Sequence, residues 1–87
     1  MAKERSLIEM ARGALARGRP ADALKALVTH AKKHPRGQLV EEREGLSVLC
    51  LISLGKRELG RTLAETFRSR YPNSLLLPAI ESALKPE

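Results

Sequence analysis

The chain has 87 residues, which is room for one small domain, and its single cysteine excludes an intramolecular disulfide. Aromatic residues make up only 2% of the sequence, so a core must be built mainly from Leu, Ala, Ile and Val. The net charge of +6 permits anionic partners without showing that one exists.

Helical periodicity and turn residues predict an all-α chain of five helices, at 3–17, 20–33, 38–54, 56–70 and 75–84. Gly18 and Gly55 suit the position just past a helix end, and a proline ends the second and the fourth helix. Ser6 followed by Glu9 matches a capping box, which favours an ordered start of the first helix near Leu7. We expect a single domain over residues 1–87.

The most apolar stretch of the chain runs from Gly45 to Leu54 in the third predicted helix. A helix that is apolar all round must be covered all round, so we expect its neighbours to pack on both sides of it. Cys50 lies in this stretch and is expected to be a small buried hydrophobe. In the fourth helix, the residues expected to face inward are Leu59, Leu63, Ala64 and Phe67.

A shift of 37 residues superimposes the turn residues of the chain on one another. Gly18-Arg19 then coincides with Gly55-Lys56, and His34-Pro35 coincides with Tyr71-Pro72. Two helices per period of roughly 20–50 residues indicate a helical solenoid. The units are a first repeat over about 3–36, a second over about 38–73, and a final capping helix at 75–84 that begins a third repeat.

This pattern resembles tetratricopeptide (TPR) repeats, and in particular the TPR-like hairpins of bacterial envelope and regulatory proteins. Tyr71-Pro72-Asn73-Ser74 is similar to a helix ending found in those hairpins, and Ala23 and Gly60 stand where a small residue is expected early in the second helix. The period of 37 is about three residues longer than the usual 34. The resemblance covers about residues 7–84 and implies antiparallel hairpins stacked as a short TPR-like solenoid.

The resemblance implies a protein–protein interaction module that binds a peptide or a partner helix in a groove. In such solenoids the first helices of successive repeats line the groove. The residues of this chain that it suggests for the lining are Arg12, Glu41, Arg43, Glu44 and Ser47. The partner is then another protein or peptide.

An alternative function is homo-oligomerisation, as a scaffold element taken from a larger protein. Its contact is an apolar edge at the truncated third repeat, formed by Leu75, Leu76, Leu77 and Ile80, through which the chain forms a homodimer. A third alternative, a basic nucleic-acid-binding domain, is less favoured because Tyr71 is the only aromatic residue that offers a stacking platform.

The residue types that carry catalysis are not arranged for it. His30 and His34 are spaced i, i+4 and could chelate a metal, but the sequence places no third ligand, so we expect His30 to fill a half-buried position. No nucleophile stands beside a base, and we expect no catalytic, metal or cofactor site. The apolar stretch is too short to span a bilayer, so a complete chain is expected to be soluble and cytoplasmic.

Overall fold

The computed structural model describes residues 2–85, and this part of the chain contains five α-helices. They are α1 (Ala2–Ala16), α2 (Pro20–Lys33), α3 (Val40–Ser53), α4 (Arg57–Arg70) and α5 (Leu77–Leu84). The all-α prediction is confirmed, and no helix end differs by more than two residues from the five ranges that periodicity and turn residues predict. The predicted start near Leu7 is wrong: α1 begins at Ala2, because Glu4 in its first turn is anchored to the rest of the fold.

Gly18 and Gly55 end α1 and α3 with the same backbone geometry. Their φ angles are +75° and +86°, in the left-handed region that favours glycine. The residue after each glycine donates its N–H to the carbonyl five residues before it, at 2.8 Å and 2.9 Å respectively. These bonds form a Schellman motif at each helix end, where the chain reverses its direction. The next helix begins two residues after the glycine.

Alanine substitutions at two glycines are expected to have opposite effects. Gly55→Ala should lower the free energy of unfolding by about 1–2 kcal/mol, because an L-residue is strained at positive φ. Gly13→Ala should raise it by up to about 1 kcal/mol, because Gly13 is inside α1 and an added Cβ meets only the flexible end of Arg17, at 3.1 Å. Urea unfolding followed by circular dichroism measures both, and shifts of the same sign would contradict this assignment.

The 37-residue offset of the sequence recurs in the backbone. The first and last residues of α4 are each 37 positions beyond those of α2. The residues that end these two helices, His34 and Tyr71, have φ/ψ of −134°/57° and −131°/66°. Their rings also pack alike: the His30 and His34 centroids are 5.5 Å apart, and those of Phe67 and Tyr71 are 5.2 Å apart. The two hairpins therefore repeat in backbone and side-chain placement.

The interior consists of two apolar clusters on opposite sides of α3. One joins α1, α2 and α3 and contains Ile8, Ala11, Ala14, Ala23, Ala26, Leu27, Leu46 and Cys50. The other joins α3, α4 and α5 and contains Val48, Ala64, Phe67, Leu77 and Ile80. The prediction that the third helix is packed on both sides is confirmed, since α3 contacts all four other helices.

Cys50 is fully buried, as predicted, and burial raises the pKa of its thiol.

The second helices α2 and α4 have no contact with each other within residues 2–85, because α3 separates them. No helix in this described range has the length and apolar character that crossing a bilayer requires.

Candidate partner-binding surfaces

The five residues predicted to line one groove lie on two surfaces and in the interior. Arg12 and Glu41 border a cavity of about 270 Å³ between α1, the start of α3 and the loop before α5. Glu44 and Ser47 border a different cavity of about 280 Å³, between α3 and α4. The Arg43 side chain is only 15% exposed and points toward His30.

The first of these surfaces, which we call the first-helix cavity, is lined by five polar residues and three leucines. Its remaining walls are formed by Gln38, Leu39, Glu42, Ser74, Leu75 and Leu76. Arg12 donates from Nε to the Glu42 carboxylate at 2.7 Å, so its charge is already paired within the chain. Leu75, which is 95% exposed, is the main apolar group that this cavity offers to a partner.

The predicted self-association edge is mostly covered within the chain itself. Leu77 and Ile80 are buried, with 9% and 1% of their surface exposed, because α5 packs them against α3 and α4. Leu76 is partly buried, and only Leu75 stands free. Any contact of a second chain with this edge is therefore confined to Leu75 and the exposed part of Leu76.

A buried polar network links three helices near the start of α3. Glu4 Oε2 lies 3.0 Å from His30 Nε2 and accepts the Leu39 N–H at 3.1 Å. Arg43 Nη1 lies 3.3 Å from His30 Nδ1. Because arginine has only donors, a hydrogen bond between these two groups makes Nδ1 the acceptor and leaves Nε2 to donate to Glu4. Both ring nitrogens of His30 are thus engaged by protein groups.

This network forms a structural cap at the start of α3. His30 is 0% exposed, so the expected half-buried position is wrong: the ring fills the interior where Phe67 stands in the second repeat. Within residues 2–85 no three His, Cys, Asp or Glu side chains are grouped to hold a metal ion. No buried side-chain nitrogen or oxygen of this range lacks a hydrogen-bond partner. The network therefore fixes α1 and α2 to the start of α3.

The backbone N–H groups just before α3 and just before α5 are bonded to different side chains. Leu39 and Leu76 are 37 residues apart, and each precedes the first residue of a helix. Glu4 accepts the N–H of Leu39, whereas Ser74 Oγ accepts that of Leu76 at 3.1 Å. Gly37 is the equivalent of Ser74 at the offset of 37 residues, and a Cβ on Gly37 would overlap the Glu4 carboxylate. The glycine leaves the space that Glu4 occupies.

The network predicts a pH dependence of stability. The hydrogen bond from the Leu39 N–H, followed by that from His30, lowers the pKa of Glu4 below its ordinary value of 4.5. Because the folded pKa is the lower one, the carboxylate stabilises the fold above the ordinary value, and this contribution is lost as pH falls through the folded pKa. Glu4→Gln should therefore destabilise the chain most at neutral pH and least in acid.

Urea unfolding from neutral pH to about pH 3 measures this difference. Glu9→Gln, an exposed change on the same helix, provides the baseline. A gap between wild type and Glu4→Gln that stays constant over the whole range would contradict the role assigned to Glu4.

A second surface concentrates the exposed apolar side chains of the chain. Six large apolar side chains are exposed in the described residues, and four of them belong to α2, to α4 or to the residue that follows α3. They are Val28 (49% exposed), Leu54 (37%), Leu59 (50%) and Leu63 (38%). The expectation that Leu59 and Leu63 face inward is wrong, because the buried face of α4 is formed by Gly60, Ala64 and Phe67.

This surface, which we call the α2–α4 groove, has α3 as its floor. Glu44 and Ser47 line the cavity that Leu63 of α4 borders, and Leu54 lines the one that Leu24 and Val28 of α2 border. Helical spacing places Leu51 on the same face of α3 as Ser47, and Leu59 on the same face of α4 as Leu63. The cavity of about 280 Å³ lies at its α4 wall, and one of about 470 Å³ lies at its α2 wall. Two of the predicted lining residues, Glu44 and Ser47, therefore belong to this groove.

The charged groups at the α2–α4 groove are mostly basic. Lys25 lines its α2 wall, and Lys32 follows seven residues later on the same face of that helix. Arg70 stands at the α4 wall. The one carboxylate that lines either of its two cavities, Glu44, lies 3.3 Å from Arg70 and 4.0 Å from Arg43. The groove is thus apolar along its length with an excess of positive charge at its borders.

Comparison of the chain with protein-family models, with curated proteins and with solved structures gives no match. A function is therefore inferred from the surfaces of the chain itself.

Proposed function

We propose that this chain is a protein–protein interaction module of TPR-like type, which binds a peptide or a partner helix in the α2–α4 groove. The observation that carries the proposal is that Val28, Leu54 and Leu63, all large, apolar and exposed, line the two cavities of the groove, with Leu59 one helical turn from Leu63. Contiguous apolar patches on a folded domain commonly mark interaction sites, whereas apolar residues that are exposed singly need no such explanation.

The repetition of the backbone supports the TPR-like part of the proposal. The hairpins α1–α2 and α3–α4 share helix ends and turn geometry at an offset of 37 residues. α3 packs against the helices of both hairpins and against α5, while α2 and α4 stay apart within the described range. Repeats of a solenoid contact only their neighbours, and in this chain the gap between the two second helices is open to a ligand.

The groove is a better candidate than the first-helix cavity. The first-helix cavity offers Leu75 and the partly exposed Leu39 and Leu76, together with an internal ion pair between Arg12 and Glu42. The groove offers six apolar side chains at its floor and walls, all at least partly exposed. Because burial of apolar area is the main favourable term in association, the groove has more to gain from a partner.

Selection of binding peptides from a random displayed library tests the proposal. We expect peptides enriched on the wild type to lose binding to Leu63→Glu in the groove and to keep binding to Leu75→Glu on the first-helix cavity. Circular dichroism of both variants checks that each remains folded. Enriched peptides with the reverse dependence would place the site at the first-helix cavity, and no enrichment over an unrelated helical protein would contradict the proposal.

Self-association is the second candidate function, and the exposure of Leu75 favours it. A leucine that is 95% exposed at the tip of a loop can enter an apolar cavity of a second copy. This function predicts a dimer whose formation depends on Leu75, and the solution mass of Leu75→Glu against wild type decides it.

A further inference from the structure

We infer that the partner of the α2–α4 groove is an acidic amphipathic helix. This inference rests on the proposed function and adds the chemical class of the partner. It is carried by three features of the groove: its length, the aliphatic character of its lining, and the sign of the charges at its borders.

The dimensions of the groove suit a short helix. Its floor runs from Glu44 in α3 to Leu54 just past the end of that helix, a separation of ten residues, which corresponds to about 15 Å or roughly three helical turns. Apolar side chains lie on both walls along this length, with Val28 facing from α2 and Leu63 from α4. A partner helix with apolar residues at i, i+4 and i+7 places one anchor per turn into such a groove.

Other modes of peptide recognition fit the groove less well. The described residues contain no strand, so an extended peptide finds no sheet edge to pair with. Proline-rich peptides dock between exposed aromatic rings, but the aromatic ring at this groove is Phe67, which is 2% exposed. An aliphatic stripe on a helix remains the best complement to the leucines and valine of the walls.

The border charges select an acidic partner. Lys25 and Lys32 have no carboxylate within ion-pair distance among the described residues. Glu44 is flanked by two arginines, so its charge is compensated. Glutamates or aspartates that border the apolar stripe of a partner helix would therefore meet free lysines, which favours encounter and orientation.

A second copy and nucleic acid are less suitable occupants. A second copy carries the same net charge of +6 and would bring one basic border against another. A nucleic acid would meet aliphatic side chains where it needs donors for its phosphates and aromatic rings for its bases. An acidic amphipathic helix complements both the apolar and the charged parts of the groove.

Titration with two matched peptides tests the inference. Each has about 18 residues and leucines at i, i+4, i+7 and i+11, and the flanking positions are glutamates in one and lysines in the other. We expect the glutamate peptide to bind the wild type at least about tenfold more tightly than the lysine peptide at low salt. The double variant Lys25→Glu/Lys32→Glu, which changes only exposed positions, should remove most of this preference.

Two single variants assign the binding to the groove. Leu63→Glu should weaken binding of the glutamate peptide by at least about tenfold, and Leu75→Glu, a matched change on the opposite surface, should leave it unchanged. Equal affinity of the two peptides, with both dependent on Leu63, would overturn the acidic partner and leave the interaction module standing. The acidic helix would also be overturned if neither peptide binds the chain while library-selected peptides do. It would likewise be overturned if the wild type forms a dimer that Leu63→Glu abolishes, because a second copy would then occupy the groove.

Discussion

Replacement of Phe67 by alanine is expected to lower the free energy of unfolding by about 3–5 kcal/mol. Phe67 is 2% exposed and packs in one cluster with Val48, Ala64, Leu77 and Ile80. It therefore joins α4 to both α3 and α5, and its truncation leaves a cavity that the surrounding helices can fill only in part. Small domains have a total stability of about 5–15 kcal/mol, so this one change removes a large share of it.

Urea unfolding of Phe67→Ala against Leu63→Ala measures the effect. Leu63 is four residues earlier on the same helix and 38% exposed, so its truncation should cost about 1 kcal/mol or less. Amide exchange should accelerate more in α4 and α5 than in α1 and α2, because the cluster around Phe67 holds only the C-terminal half to α3. Equal costs for the two substitutions would contradict the placement of Phe67 in the core.

Gly37→Ser is expected to lower the free energy of unfolding by about 1–3 kcal/mol in the wild type, and by much less when Glu4 is alanine. In the wild type the added Cβ displaces the Glu4 carboxylate and breaks its bonds to His30 and to the Leu39 N–H. Without Glu4, the hydroxyl of the introduced serine can accept the Leu39 N–H, as Ser74 Oγ accepts the N–H of Leu76 before α5.

A double-mutant cycle over the wild type, Gly37→Ser, Glu4→Ala and the double variant isolates this coupling. We predict that the double variant is more stable than the sum of the two single losses allows. Additive losses would show that a serine at position 37 cannot accept the Leu39 N–H as Ser74 accepts that of Leu76. Such a result would contradict the equivalence of Leu39 and Leu76 in the repeat.

The helices and their ends could be predicted because their signals are local. Gly18 and Gly55 permit the left-handed turn that ends α1 and α3, and prolines stop α2 and α4. The offset of 37 residues in the sequence follows from the same turn residues, and the backbone repeats with that offset. The central position of α3 followed from its apolar composition, which requires neighbours on several sides.

The buried network could not be predicted from periodicity, since it joins residues far apart in the chain. Glu4 and His30 are 26 residues apart, and Arg43 comes from a third helix. The signal that could have found it is a departure from the repeat. At the offset of 37 residues, Phe67 is the equivalent of His30, and Ile80 is the equivalent of Arg43. Phe67 and Ile80 are both buried. Polar residues at two positions whose equivalents 37 residues later are apolar indicate a local polar cluster.

The groove was missed for a different reason. Leu59 and Leu63 share a helix with buried Ala64 and Phe67, and sequence periodicity alone does not tell on which side of that helix the next helix lies. Because α3 lies between α2 and α4, α2 does not cover the side of α4 that carries these leucines. Their exposure is thus a consequence of packing geometry, and it is the feature on which the proposed function depends.

The central claim is that the α2–α4 groove is an open site for a different protein. Light scattering after size exclusion, at two protein concentrations and two salt concentrations, tests it most directly. We predict a monomer of 9.6 kDa under all four conditions, because the basic borders of the groove oppose a second copy. A dimer that persists in high salt and disappears in Leu63→Glu would mean that the groove is already filled by the chain itself, and would contradict the claim.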